Sequence, residues 1–219
     1  MARPLVRKPR VDLAPAIRDA AAGLFAERGF EATTMQNIAD RVGVTGPGLY
    51  YYYSSKQALL FDVLYRGIEH ALAVIGGAVA AARATSPGNA TAALEAFVAR
   101  HVAYQIEAAS VGAVYGAAFY GSRHMFNALT EEQRVSLQKL QRQGLDLARG
   151  ILEEGQATGE FRVPNLTQAA LALIGMGEYV PTWYKVGGSL SAADVGQIYA
   201  EMALRLVGAM DPGGIPEAT

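Results

Sequence analysis

A chain of 219 residues, 51% hydrophobic and 18% charged, can bury a sizeable core, which argues against disorder. It has no cysteine, and this excludes a disulfide framework, a thiol nucleophile and a Cys-based zinc site. The net charge of −1 hides a split: residues 1–56 hold eight Lys/Arg against five Asp/Glu, while residues 57–219 hold eleven against fifteen, so a basic head suited to a polyanion precedes an acidic body.

Helical periodicity runs nearly throughout, and no alternating strand pattern is present. Residues 1–11 contain Arg3, Arg7, Lys8 and Arg10 with two prolines and read as a flexible basic arm. They lack an apolar signal stretch, and with the missing cysteines this favours a reducing, cytoplasmic setting. Asp12 can cap a first helix that tolerates Pro15 in its first turn, carries Ile17, Ala20, Ala21, Leu24 and Phe25 on one face, and ends at Gly29 in a left-handed conformation. A short helix follows from Thr34 to Val42, capped by Thr33 or Thr34 and broken by Gly43. A third starts after Thr45 and carries the run Tyr50 to Tyr53.

Ser54 or Ser55 then caps a long helix that fades near Thr85, where SPGN marks a loop. Its apolar run from Ala71 to Ala82 is shorter than the roughly 20 residues of a membrane span and predicts burial instead. Five further helices are predicted over 89–108, 111–121, 130–157, 165–185 and 191–210. Thr130 with Gln133 forms a capping-box pattern, and Ser191 with Asp194 suits the start of the last helix. Pro181 is predicted to bend the helix over 165–185. The fold class is all-α, with about nine helices. The expected divisions are an arm over 1–11, a helix-turn-helix domain over 12–56, a ligand-binding and dimerisation domain over 57–212 and a frayed tail over 213–219.

The stretch TMQNIADRVGVTGPGLYYYYSSK, Thr34 to Lys56, carries the most information. Ala39 lies four residues before Gly43, and Leu49 lies six after it. A small residue lets two helices approach, a glycine shapes the turn, and the later apolar residue locks the second helix onto the first. This is helix-turn-helix spacing, in which the second helix enters the major groove of DNA. Corners of this kind also occur in proteins that never meet DNA.

The words LFAERGFEATTMQNIADRVGV and LYYYYSSKQALLFDVL resemble the N-terminal domain of the TetR family of one-component transcriptional regulators. The resemblance covers about the first quarter of the chain. It implies an all-helical homodimer whose small N-terminal domain binds operator DNA and whose larger C-terminal domain binds a small molecule. It also implies a repressor that its effector releases from the operator, by favouring a conformer with wrongly spaced recognition helices.

Residue by residue, the resemblance assigns Thr33, Thr34 and Thr45 to helix N-termini, where hydroxyls and backbone N–H groups suit a phosphate; capping alone is the other reading. Many members carry Lys-Gly-Thr where this chain has Gly46-Pro47-Gly48, so a side chain suited to guanine edges is missing. Gly46 lets the backbone sit close to DNA, Pro47 fits a first helical turn, and Gln36, Asn37 and the arm arginines remain to contact bases. Tyr50 and Tyr51 match a DNA-facing aromatic pair, Tyr53 occupies a core slot, and Tyr52 is open between core and phosphate. Lys56 matches a phosphate contact, with a solvated lysine as the alternative.

Near the C-terminus, ALALIGMGEYVPTWYKVGGSLSAADVGQIYAEMALRLVGA is similar to the last two helices of members that respond to CoA thioesters in fatty-acid, steroid or aromatic-acid catabolism. In the family these helices pair with their copies in a dimer, and Gly175 and Gly177 would then serve close packing; a kink is the alternative. Candidate pocket residues are His101, Tyr104, Tyr115, Phe119, Tyr120, Met125, Phe126, Met176 and Trp183, with Arg123 and His124 placed to receive an anionic group. Any single one of these aromatics and methionines is more often plain core, and a solvated loop is the other reading for Arg123 and His124. The effector would be a CoA thioester or an aromatic or lipid compound. No cofactor and no metal is expected: His70, His101 and His124 lack ligand spacing, and no GxSxG, HExxH or GxxxxGK[ST] motif marks an enzyme. The competing reading is a helical protein-interaction module without specific DNA binding.

Overall fold

The structure is a computed structural model that describes residues 12–121 and 124–209, and every regular element among them is helical. The expected arm over 1–11, the tail over 213–219 and Arg123 lie outside the described residues. Ten α-helices are present among them, one more than the nine anticipated, the addition being a single turn. The chain divides into two compact units, the first reaching Val63 and the second beginning at Leu64.

The first unit contains α1 (Ala14–Arg28), α2 (Met35–Val42), α3 (Gly46–Tyr52) and the opening turns of α4 (Lys56–Thr85). Asp12 accepts a hydrogen bond from the Ala14 N–H at 3.0 Å, and Pro15 sits in the first turn of α1. Gly29 ends α1 at φ 81° and ψ 159°, so it has positive φ but departs from the left-handed helical conformation expected of it. Thr34 caps α2 through a capping box with Asn37, and Thr45 caps α3 by accepting from the Gly48 N–H. Ser55 takes the cap of α4, its hydroxyl accepting from the Ala58 N–H at 3.1 Å. Ile17, Leu24, Ile38, Ala39 and Leu49 form a closed core, completed by Leu59, Leu60 and Val63 from α4. Those last three explain why the unit extends beyond the expected boundary at residue 56: the small core is not closed without the first two turns of α4.

The second unit contains the rest of α4, then α5 (Ala90–Glu107), α6 (Ala109–Phe119), the one-turn α7 (His124–Asn127), α8 (Glu131–Thr158), α9 (Leu166–Glu178) and α10 (Ala192–Leu206). Both anticipated caps form as capping boxes, Thr130 with Gln133 and Ser191 with Asp194. α5 is the central helix and packs against α8, α9 and α10, with Leu94, Val98 and Val102 wholly buried. Gly196 lets α10 press on α5, since a Cβ there would fall 2.5 Å from the Ala99 carbonyl oxygen. The helix expected over 165–185 stops early. α9 ends at Glu178, and Pro181 sits in a 3-10 turn over Val180–Thr182 instead of bending a continuing helix, because it has no N–H to carry the α-helical ladder onward.

Candidate nucleic-acid interface and ligand chamber

In the first unit the turn between α2 and α3 is built as the spacing requires. Gly43 is left-handed at φ 77° and ψ 32°, and its N–H and that of Val44 both bond to the Ala39 carbonyl, at 2.9 and 3.0 Å. Ala39 and Leu49 are wholly buried. The four tyrosines then separate. Tyr50 and Tyr51 are 55% and 71% exposed, Tyr52 is half-buried, and Tyr53 is 9% exposed. The Tyr53 hydroxyl donates to Asp62 Oδ2 at 2.6 Å, and the same oxygen receives Arg18 Nη1 at 3.1 Å. Burial, helped by the hydrogen bond to Asp62, pushes the Tyr53 hydroxyl up to about 12.

Thr34, Gln36, Thr45 and Pro47 are exposed, and Asn37, Gly46 and Gly48 are half-buried. Gln36 and the start of α3 are adjacent, for a Cβ on Gly46 would lie 3.3 Å from Gln36 Oε1. Gln36 Nε2 donates to Asp40 at 2.6 Å, and Asn37 Oδ1 accepts from the Thr34 N–H at 3.1 Å. Thr33 is a correction. It is wholly buried, and its hydroxyl donates to the Leu24 and Gly29 carbonyls at 3.2 and 2.8 Å, which removes it from any surface that could touch a phosphate.

Lys56 also has an internal role that sequence reasoning missed. Its Nζ donates to the carbonyls of Phe30, Glu31 and Thr33 at 2.6, 3.2 and 2.9 Å, holding the loop between α1 and α2. Arg41 is likewise engaged, in a paired hydrogen bond to Glu27 at 2.9 and 3.2 Å.

The second unit holds a chamber of about 130 Å³ among α4, α5, α6, α8 and α9. Its walls are largely apolar, from Leu64, Ile68, Leu72, Phe97, Val111 and Leu140 among others. Of the sequence candidates, His101, Tyr104 and Tyr115 line it. Phe119 packs on Tyr115 and Phe126 with ring centroids 4.6 and 5.2 Å apart, Met125 is buried, and Met176 packs against the main core; none of these four lines the chamber. Trp183 is 43% exposed and stacks on Tyr199, and His124 is exposed.

The polar wall has three members the sequence reading missed: Gln105, Gln141 and Glu178. Glu178 could have been found, since it is the one acid inside the apolar run LALIGMGEYV. His101 Nε2 lies 2.9 Å from the Ile174 carbonyl, so that nitrogen carries the proton. Burial holds the imidazole below its ordinary pKa, so it is neutral at pH 7. The Tyr104 hydroxyl donates to the Gly67 carbonyl at 3.0 Å, and Gln141 Nε2 donates to the Tyr115 hydroxyl at 2.6 Å. Tyr120 is 67% exposed and meets Tyr115 edge-on, ring centroids 6.0 Å apart. Burial raises the Glu178 carboxyl above the usual range, with the Tyr120 hydroxyl acting in the opposite sense. Gly177, one residue before, lies against His101: a Cβ there would fall 2.5 Å from the ring. Its purpose is therefore an approach within the chain, between α9 and α5, and not packing across a dimer.

Comparison with known proteins joins both units. Residues 17–63 match the model for bacterial regulatory proteins of the tetR family, and residues 87–207 match that for the tetracyclin repressor-like C-terminal domain. The chain belongs to the TetR family. It is thus a DNA-binding transcriptional regulator and not an enzyme. This TetR-family chain is 33% identical to the HTH-type transcriptional repressor KstR2 of Mycolicibacterium smegmatis over 84% of its length and 85% of the relative's. It is 30% identical to the KstR2 repressor of Rhodococcus jostii over 85% of its length and 86% of the relative's. A bacterial regulatory protein of the tetR family from Rhodococcus RHA1 has the same fold, with a TM-score of 0.77 and 26% identity over 91% of this chain and 99% of the other.

Proposed function

We propose that this regulator is a repressor that docks α2 and α3 on operator DNA and leaves it when a largely apolar or acyl-CoA-like effector fills the chamber of the second unit. The observation that carries the DNA side is the pair Tyr50 and Tyr51, large aromatics exposed on a helix whose opposite face is locked by Leu49. A phenol can donate to phosphate oxygen, and exposed aromatics of this size are otherwise costly to leave in water. The repressor sense is supported by the names of the KstR2 relatives. Thr34, Gln36, Asn37, Thr45 and the backbone of Gly46-Pro47-Gly48 complete the proposed surface, joined by the arm arginines. With Arg18, Arg41 and Lys56 each bonded to other groups of the chain, the exposed Arg28 and the arm's Arg3, Arg7, Lys8 and Arg10 are the further cations available to it. Its setting is the cytoplasm, and no described helix is long and apolar enough to cross a membrane.

The partner copy is assigned to the last two helices. Leu171, Gly175 and Tyr179 follow one another at four-residue spacing on and just after α9, and Ile198, Met202 and Leu206 do so on α10; all are exposed. Two such apolar stripes on one unit suit an isologous helical interface, with Gly175 allowing close approach. A mobility-shift titration with DNA upstream of the protein's own gene tests the whole reading. Specific, salt-dependent retention that an apolar effector abolishes supports it, and retention of no fragment at any salt would return the protein-interaction reading. Sedimentation of Met202→Glu tests the dimer surface: a monomer is expected, and an unchanged dimer would place the interface elsewhere.

A further inference from the structure

The two polar side chains buried deepest in the wall of the chamber, His101 and Tyr104, lie about one turn apart on α5 and are 6% and 8% exposed. Both spend their protons on backbone carbonyls of neighbouring helices. The Tyr104 hydroxyl donates to Gly67 of α4 at 3.0 Å, and His101 Nε2 donates to Ile174 of α9 at 2.9 Å. A carbonyl only accepts, so the His101 proton is fixed on Nε2, and Nδ1 keeps a bare lone pair.

The packing of the ring decides where that lone pair points. Gly177 presses on the Cδ2–Nε2 edge, for a Cβ there would fall 2.5 and 2.6 Å from those two atoms. Phe97 stacks on a face of the ring, with centroids 6.1 Å apart and planes 17° apart. Nδ1 is the vertex opposite the Cδ2–Nε2 edge, so it points away from α9. It has no hydrogen-bond partner among the described residues. Nor is it sealed in the core, since Arg149 Nε is the one described side-chain nitrogen or oxygen that is both enclosed and unpartnered. Nδ1 therefore opens on the chamber that His101 lines.

The bond to Ile174 accounts for one nitrogen of the ring and leaves the other without a purpose in packing. A phenylalanine at 101 would fill the wall beside Phe97 without burying an unmatched acceptor. The ring cannot adapt by moving its proton. On Nδ1 the proton would leave the Nε2 lone pair facing the Ile174 oxygen, and burial opposes a second proton. An ether or ketone oxygen brought to Nδ1 would set lone pair against lone pair, whereas a hydroxyl supplies the missing donor. We infer that His101 Nδ1 is a recognition site for a neutral hydroxyl on a largely apolar effector, which sits in the chamber with its O–H on the imidazole. The inference rests on the proposed effector-binding role of the second unit and names the side chain that reads the effector and the group it reads.

The test uses three probes that share one bicyclic skeleton and differ at a single oxygen: 2-decalol, 2-methoxydecalin and 2-decalone. Each is titrated calorimetrically into the full-length protein and into His101→Phe, with circular dichroism to confirm that both are folded. The native protein is expected to bind the alcohol at least about threefold more tightly than the ether or the ketone, the scale of one neutral hydrogen bond. His101→Phe should abolish that preference. Heteronuclear NMR of the imidazole nitrogens reads the contact in the native protein and decides alone if the variant does not fold. The alcohol should shift the Nδ1 resonance more than either analogue does and leave Nε2 protonated. A purely structural histidine would show neither the preference nor the shift. An alcohol bound no more tightly than its ether, a preference kept by folded His101→Phe, an Nδ1 resonance indifferent to the alcohol, or no binding of any probe would each overturn the inference. A mobility shift on the same preparations separates the two levels: intact operator binding with any of those results sinks only the role of His101, whereas no operator binding by native protein sinks the regulator reading beneath it.

Discussion

The ammonium of Lys56 lies 2.6 Å from the Phe30 carbonyl oxygen and 4.3 Å from the centroid of the Phe30 ring. One side chain at the start of α4 thereby satisfies a carbonyl, caps an aromatic face and, through Glu31 and Thr33, closes the loop that leads into α2. Replacing it with methionine keeps the stem and removes three donors. Lys56→Met should destabilise the first unit by about 1–3 kcal/mol, the usual cost of leaving partly buried carbonyls unpaired. A denaturant melt reports the loss. Any fall in operator affinity should then track the unfolded fraction, and a variant as stable as the native protein would return Lys56 to a surface role.

Tyr50 and Tyr53 are three residues apart in a run of one amino acid, yet their hydroxyls should behave oppositely. Tyr53→Phe removes the donor to Asp62 and should cost about 1.5–3 kcal/mol of stability, as for other hydrogen bonds to charged groups. Tyr50→Phe should leave the melting curve in place and weaken operator binding several-fold. The pair of measurements is decisive only together: equal melting curves for both variants would remove the division between inward and outward tyrosines.

Gly175 and Gly177 offer a second matched contrast. A Cβ at 177 would strike the His101 ring, so Gly177→Ala forces α9 and α5 apart and should cost about 1–3 kcal/mol, as overpacking does. Nothing lies within 4 Å of a Cβ at 175. Gly175→Ala should therefore leave the fold of the protomer intact, or favour it by up to about 1 kcal/mol through helix propensity, while loosening the dimer. Thermal melts combined with sedimentation at several concentrations distinguish these effects.

The Glu178 carboxyl gives a pH dependence with a definite sign. Burial raises its folded-state pKa above the ordinary 4.5. Below 4.5 the group is protonated in both states and costs nothing. As pH rises through the window from 4.5 to the raised value, the unfolded chain releases the proton first, and stability falls. Glu178→Gln does not titrate, so it should melt higher than the native protein at pH 7 and converge with it below pH 4.5. The groups facing this carboxyl, Tyr115 and Tyr120, stay protonated across that range, since burial raises both. A constant difference between the two proteins from pH 4 to 7 would contradict the assignment.

Local signals were legible in the sequence where one residue alone determines the geometry. Gly43, Thr45, Thr130 and Ser191 mark their turns and caps because a left-handed backbone or an oxygen for an orphan N–H is a local requirement. Residues whose role depends on distant partners were not legible. Lys56 looks like a surface lysine until Phe30 and Thr33 are brought beneath it, and Thr33 looks like a cap until Leu24 and Gly29 receive its hydroxyl. Gly177 suggested an interface because the sequence does not reveal that His101, 76 positions earlier, occupies its missing side chain's place. The aromatic candidates for the pocket divided for the same reason: Tyr104 and Tyr115 face the chamber, while Phe119 and Phe126 pack on each other.

The first turn of α3 has a further consequence for how this regulator could be redirected. Gly46 and Gly48 are not equivalent vacancies. A Cβ at 48 would sit 3.1 Å from the Thr45 hydroxyl that caps the helix, so a side chain there disturbs the element it is meant to extend. A Cβ at 46 meets only the far end of Gln36, which can swing aside. Position 46 is thus the open foothold for new operator preference, available to selection or to an engineer at little cost to the fold, while position 48 is closed by the cap behind it.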